Sequence, residues 1–249
     1  MLIIFFVLGL VFGSFLSVLV SRLDKRGGIF LGRSECQKCK TQLGWVDLIP
    51  IISFVMLKRQ CRYCKYKLSY LYPTIELITG SAFALFFLKN GIPNSIETWY
   101  QFILMFFLIS VIFFDYLYYT IPDKIVLPLI ILSLVISIVL RQAELINLLT
   151  SGLLFGGFFA MLYVVSHGEW IGLGDAKLTL LIGLSLGYPL TFIVVAVSIW
   201  TAAIVGLLLI AFKKASMKSA LPLGLFLSTC SIVIIIFQNE AQIFKSFLY

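Results

Sequence analysis

Asp175 stands in the run Gly172, Leu173, Gly174, Asp175, Ala176, Lys177, Leu178, between two apolar stretches. An acid left in lipid costs roughly 2.5 to 3.5 kcal/mol on insertion scales, so a carboxylate at the hydrocarbon edge is read first as functional. The glycines before it allow a sharp turn and a close approach by a neighbouring segment. The competing reading is structural: Asp175 as an N-cap, a role aspartate fills well. A partner carboxylate is available in Asp115, at the end of another apolar run. Held close together, two carboxyls cannot both ionise. One keeps its proton and donates, while the other, as base, activates a water against a peptide carbonyl. Such hydrolysis needs neither a metal nor a nucleophilic side chain. Serine or cysteine chemistry would want a histidine, and the one present, His167, has no obvious partner.

Asp123, in Thr120, Ile121, Pro122, Asp123, Lys124, is a rival partner. A Pro-Asp pair opening an apolar run is an ordinary helix start, so Asp123 is read as a cap. Asp115 instead closes a helix, where a negative charge opposes the macrodipole and has no capping use, and therefore asks for another reason. Glu76, Glu169 and Asp47 are read as solvated or capping groups.

A second chemistry-bearing set is Cys36, Cys39, Cys61 and Cys64, two CxxC pairs separated by 21 residues. Each pair supplies two thiolates from one tight turn, and two such knuckles make a tetrahedral zinc site. Two disulfides or redox-active thiols are the alternatives, and the cytosolic side implied by the charge count disfavours structural disulfides. The intervening Trp45 to Ile52 is apolar enough to pack on the ribbon or lie on the membrane. Cys230 reads as a small apolar packer.

The elements that must position these groups follow from composition. Hydrophobic residues make up 61% of 249 positions and charged residues 12%, far from a soluble domain. The chain reads as an all-α polytopic membrane protein. About eight apolar segments recur, at roughly 2 to 20, 68 to 88, 99 to 114, 125 to 140, 147 to 165, 176 to 187, 190 to 212 and 220 to 237. Segment 1 has no basic residues ahead of it and no cleavage site behind it, unlike a signal peptide. Its following charges, Arg22, Lys25 and Arg26, place the N-terminus outside and the next loop in the cytoplasm. That loop, residues 21 to 72, holds 11 Lys and Arg against three acids, matching the net charge of the whole chain, +8. Lys124, Lys177, Lys213, Lys214 and Lys218 then fall at cytoplasmic ends, with Lys89, Arg141 and Lys245 outside. Basic charge concentrated beside helix ends is orientation and contact with anionic lipid; nucleic acid is set aside as a partner. By this count Asp115 and Asp175 share one membrane depth on the cytoplasmic side. The organisation expected is a first transmembrane helix at 1–20, a cytoplasmic zinc-ribbon-like loop at 21–72 and a transmembrane peptidase domain at 73–249.

These residues together resemble the type IV prepilin leader peptidases, bacterial aspartyl proteases that trim pilin-like precursors. The likeness rests on Gly13, Ser14, Phe15 and Leu16, the paired CxxC module, Tyr72, Pro73 and Glu76, Asp115 with Ile121, Pro122 and Asp123, and Gly172 to Leu178. It implies an eight-helix fold, a catalytic pair at Asp115 and Asp175 on the cytoplasmic face, and a prepilin or competence pseudopilin precursor cut between its basic leader and its hydrophobic helix. It further implies, as in many relatives, methylation of the new N-terminal amine from S-adenosylmethionine. One departure lies at Leu221, Pro222, Leu223, Gly224, Leu225, where the family often shows a Gly-Pro with phenylalanines. Two rivals stand beside this reading. A presenilin-like or signal-peptide-peptidase-like protease would show Tyr-Asp on the partner helix and no cysteine module, whereas Phe114 precedes Asp115 here. A non-enzymatic zinc-ribbon membrane scaffold would leave both edge carboxylates unexplained.

Overall fold

A computed structural model describes residues 1–22, 34–36, 38–214, 216, 219–238 and 240. Lys25, Arg26, Lys218 and Lys245, used above for orientation, lie outside the described residues, as does the side chain of Arg22. Nine α-helices occur among the described residues: α1 (Leu2–Arg22), α2 (Ile52–Met56), α3 (Leu71–Asn90), α4 (Ile96–Tyr118), α5 (Asp123–Val139), α6 (Leu145–Val165), α7 (Leu173–Leu186), α8 (Leu190–Ala211) and α9 (Leu223–Ile236). Their only β pairings are two isolated bridges, Glu35 with Gln42 and Gln60 with Lys67. The protein is therefore all-α and membrane-embedded. The spans Leu2–Val20, Leu71–Asn90, Ile96–Tyr118, Gln142–Val165 and Leu190–Ala211 are long and apolar enough to cross a bilayer.

The chain divides into two compact units, Met1–Ile92 and Pro93–Tyr249. In the first, α1 lies along α3. Phenylalanines stitch the pair: Phe5 stacks on Phe87 with ring centroids 3.5 Å apart, and Phe12 meets Phe83. The cysteine-bearing segment and α2 fill the connection between the two helices.

In the second unit α7 is the central element, packed on α5, α6, α8 and α9. Its 14 residues rise only about 21 Å, short of the ~30 Å hydrocarbon core. A helix walled by four others has little lipid to span, and most of its side chains from Ala176 to Ser185 are buried. Apolar side chains alone gain little from association inside lipid, so polar contacts help to fix the packing. The Tyr100 hydroxyl lies 2.5 and 2.6 Å from the hydroxyls of Ser133 on α5 and Ser185 on α7, tying α4 to both. Arg141 donates to the Ser185 carbonyl at 2.7 Å, a cation placed at the C-terminal end of α7 where the macrodipole favours it.

Helix boundaries depart from the hydropathy segments by about a turn. α4 starts at Ile96, with the Ser95 hydroxyl accepting from the Thr98 N–H at 3.2 Å, and runs through Tyr118. It stops where Tyr119 turns left-handed, φ 53°, and returns its N–H to the Asp115 carbonyl. Asp115 thus sits inside the last turn and not at the helix end. Tyr100→Phe removes the hydroxyl that joins three helices while keeping the ring. It is expected to lower stability by about 1 kcal/mol, read as an earlier thermal transition of the purified protein.

Candidate functional site

Asp115 is buried, with 5% of its surface exposed, near one end of the long apolar helix α4. A carboxylate in such surroundings loses several kcal/mol of hydration unless donors replace water. They come from the start of α9: the Leu225 N–H donates to Asp115 Oδ2 at 2.8 Å. Pro222 is the N-cap of that helix, so Leu225 carries one of the N–H groups that the helix itself cannot satisfy. The premise that Asp115 has no capping use is therefore overturned. It caps a helix, but one that begins more than a hundred residues later.

Asp175 is half-buried, in the first turn of α7. The helix begins at Leu173 with Gly172 as N-cap, three residues earlier than hydropathy suggests. Asp175 is accordingly not the N-cap. It is the third helical residue, and its Oδ2 accepts from the Gly172 N–H at 3.3 Å. It supports the helix start from inside the first turn, and it lies within electrostatic range of Asp115.

Ile121, in the turn between α4 and α5, sets how the two acid-bearing segments meet. A Cβ on Gly174 would come within 2.9 Å of the Ile121 Cβ. A Cβ on Gly224 would come within 2.8 Å of both Ile121 Cδ1 and Asp115 Oδ2. Only glycine admits so close an approach at either place. Outside this wedge, the Lys177 ammonium holds both carboxylate oxygens of Asp123, at 2.7 and 2.8 Å, joining the first turns of α5 and α7. Asp123 is the first helical residue of α5, with Pro122 as its cap, and its carboxylate belongs to Lys177. His167 is exposed in the turn after α6, and Glu169 is exposed nearby. The participation of Gly224 and the Leu225 N–H was not readable, because a backbone donor has no residue signature and the separation is 110 residues.

The four predicted thiol ligands lie in the other unit. The ligand atoms of Cys36, Cys39, Cys61 and Cys64 are within 4.8 Å of one another, and all four cysteines are free. The two knuckles repeat one geometry. In each, the first cysteine donates its N–H to the carbonyl five residues on, Thr41 or Tyr66, and accepts from the residue after the second cysteine, Lys40 or Lys65. Both lysines are left-handed, at φ 57° and 59°. The Cys36 and Cys64 sulfurs are 3.7 Å apart. A tetrahedral ion with thiolates at about 2.3 Å would place them about 3.8 Å apart, so the donor set fits a metal. Hydrogen bonds from Thr41, side chain first and then backbone, pull the Cys39 thiol down to about 6, and the Cys64 N–H lowers that of Cys61. Cys64 goes the other way, to about 11: the Tyr66 N–H lowers it, but burial and the neighbouring thiols prevail. Four thiolates this close repel one another, and a cation removes that conflict.

Glu76 departs from its reading as a solvated or capping group. It is neither solvated nor a cap for its own helix. Buried on α3, it accepts the Ile51 N–H at 2.8 Å and a hydrogen bond from the Ser14 side chain on α1. Asp47 does serve a helical turn, accepting from the Gly44 N–H at 3.1 Å and from Arg62 at 2.7 Å.

An all-α membrane protein with an acid pair in one unit and a four-thiol module in the other is the class these features define. Residues 7–90 match the Bacterial Peptidase A24 N-terminal domain and residues 102–207 the Type IV leader peptidase family. The chain is 30% identical over 247 residues to a prepilin leader peptidase/N-methyltransferase of Bacillus subtilis (strain 168), covering 96% of each. Similar proteins of that description occur in Myxococcus xanthus (strain DK1622), at 29% over 82% of this chain and 62% of the relative, and in Stutzerimonas stutzeri, at 27% over 94% and 90%. No solved structure matches significantly. The chain belongs to the type IV prepilin leader peptidase family.

Gly224→Ala is expected to displace the Asp115 carboxylate and lower peptidase turnover at least about tenfold. Gly157→Ala, whose added methyl meets nothing within 4 Å, should leave turnover unchanged, both measured on equal amounts of folded enzyme.

Proposed function

We propose that this chain removes the basic leader from prepilin-like or competence pseudopilin precursors by aspartyl hydrolysis, with Asp115 and Asp175 as the catalytic pair. The observation that carries the reading is the placing of these two carboxylates, on α4 and α7, about one wedge: Ile121 meets Gly174, next to Asp175, and Gly224, which lies against Asp115 Oδ2. Water adds to the scissile carbonyl as one carboxylate takes its proton. The other, protonated, donates to the leaving nitrogen, so the C–N bond breaks to give a carboxylic acid and an amine. Asp123 is the less suitable partner because its carboxylate is half-exposed and already bonded to Lys177. The eight apolar helices α1 and α3 to α9 are taken as eight crossings of the cytoplasmic membrane, with the N-terminus outside and the acid pair on the cytoplasmic face. The loop at 21–72 and the peptidase domain at 73–249 are then the two functional parts.

The names of the relatives also suggest N-methylation of the new N-terminus, with S-adenosylmethionine as donor. The described residues contain no βαβ unit with a glycine-rich turn of the kind that cradles nucleotide cofactors. For the four thiols the ion proposed is zinc, in a structural role. The ligands fill all four tetrahedral positions and leave none for water.

Co-expression with a prepilin-like precursor tests the pair. Asp115→Asn and Asp175→Asn should each lower cleavage at least about 10⁴-fold while inserting normally. Asp123→Asn should retain substantial cleavage, seen as a size shift and as the mass of the mature N-terminus. Inactive Asp123→Asn beside active Asp115→Asn would overturn the assignment.

The metal is tested separately. Purified protein should hold about one zinc, lost in Cys36→Ser or Cys61→Ser, with cleavage reduced but still measurable. If chelation stops hydrolysis in protein that stays folded, and zinc alone restores it, the reaction is a metalloprotease's.

A further inference from the structure

Between Lys40 and Lys58 the chain carries a single charge, Asp47. That charge is folded away: only 6% of its side chain is exposed, under Arg62 and the Gly44 N–H. What the segment presents outward is apolar. Trp45 is 80% exposed, Val55 66% and Met56 76%, with Val46, Leu48 and Ile52 exposed beside them. The segment therefore does not cover its apolar side chains on the thiol module. A contiguous uncovered face of this kind needs an occupant.

Its depth is set by Glu76. The carboxylate that accepts the Ile51 N–H stands on the sixth residue of α3, about 7 to 8 Å along the axis from the start of that helix. The 20 residues of α3 rise about 30 Å, the thickness of the hydrocarbon core, so its first residue lies at the membrane boundary with no length to spare. Helical side chains lean toward the N-terminus, which brings the Glu76 carboxylate back toward that boundary. Ile51 is pinned there, between the short helical turn Trp45–Leu48 and α2, at φ 60° in a backbone conformation that a β-branched residue adopts only when held. Amphipathic segments that lie in an interface sink their apolar face about 5 to 10 Å below the headgroups. Lys58, Lys65 and Lys67, all exposed, follow directly and complement an anionic leaflet.

We propose that the Trp45–Met56 face is an interfacial anchor that rests on lipid, with Trp45, Ile52, Val55 and Met56 in the headgroup–acyl boundary and the basic residues among anionic headgroups. The thiol module is thereby fastened flat to the membrane surface, with Glu76 as the fixing point. An apolar helix of a protein partner is the competing occupant. The lipid is favoured because the depth is imposed from within the same unit, by Glu76 and Ser14.

The test uses the full chain in vesicles of phosphatidylcholine and phosphatidylglycerol. With Trp99, Trp170 and Trp200 replaced by Phe, the emission of Trp45 should be blue-shifted and quenched by brominated phosphatidylcholine. A companion protein keeping only Trp200, which is 73% exposed on α8, should be quenched as well and serves as the positive control for lipid contact. Val55→Glu in that background should shift the emission to the red and abolish the bromine quenching, with the metal retained. Trp45 quenched by aqueous iodide and indifferent to bromine overturns the proposal. So does a Trp45 shielded only after a prepilin-like precursor is added, which would make the face a protein-docking surface. Should the single-tryptophan protein fail to fold, benzoylphenylalanine at position 56 of the otherwise native chain decides: photo-crosslinks to lipid support the anchor, while crosslinks to the precursor or to nothing refute it.

Discussion

A buried carboxylate on an apolar helix is the constraint from which the rest of the second unit follows. Asp115 cannot stay on α4 without donors, and the donors nearest to hand are backbone N–H groups that α9 leaves unsatisfied at its start. That choice brings the first turn of α9 against the last turn of α4. The approach is so close that residue 224 has no room for a side chain, and Ile121 fills what space is left. The same Ile121 meets Gly174, which places α7 and so Asp175. One hydrogen bond, one wedge and two glycines therefore determine where two acids from distant parts of the chain meet. A side chain is the softer way to hold a carboxylate. A helix N-terminus cannot rotate away, and its dipole adds to the hydrogen bond.

How much of this is legible in sequence depends on what kind of group does the work. The acids could be picked out because a charge beside a long apolar run is costly and therefore informative. The cysteines could be read because tetrahedral coordination imposes a spacing on ligands within each knuckle. Leu225 could not, since it contributes an N–H that every residue but proline possesses. Helix ends were misplaced by about a turn at α4 and α7 because hydropathy marks the apolar run and not the hydrogen-bonded ladder. Tyr116 and Tyr118 at one boundary, and Gly174 and Asp175 at the other, are polar or small enough to end the apolar run yet continue the helix. That turn matters, because it moves Asp115 inside its helix and makes Asp175 the third residue of its own. Glu76 was misread for a related reason. Its partner is the Ile51 N–H, and nothing in the types of the two residues announces the bond.

The central position of α7 follows from its length together with its neighbours. Fourteen residues cannot match the bilayer alone, and an isolated helix that short would thin the membrane or tilt. Surrounded by α5, α6, α8 and α9 it meets protein in place of lipid, and the mismatch is largely removed. Burial also explains why its C-terminal half carries polar groups. The Ser185 hydroxyl bonds with Tyr100, and the Ser185 carbonyl accepts from Arg141, so the end of the helix away from Asp175 is fastened by charge and hydroxyl contacts. The end near Asp175 is fastened by the Lys177–Asp123 pair. With both ends tied, the first turn that carries Asp175 has little freedom to drift.

The first unit meets a different problem with different means. A segment of some fifty residues between two membrane helices has too little apolar interior to fold as a soluble domain does. Its four sulfurs, gathered from residues 28 apart, close the segment on itself through two copies of one knuckle. That leaves Trp45, Val46, Leu48, Ile52, Val55 and Met56 with no interior to occupy, so they are turned outward, and the lone acid of the segment is neutralised by Arg62. Glu76 then links this outward face to α3, and Ser14 links the same carboxylate to α1. A buried acid again acts as the fastener, here accepting from a loop backbone where Asp115 accepts from a helix end. In both units the chain uses a carboxylate on a membrane helix to capture an N–H group that would otherwise go unsatisfied. The difference lies in company: Glu76 accepts from Ile51 and Ser14, whereas Asp115 accepts from the start of α9 and lies within electrostatic range of a second acid, Asp175.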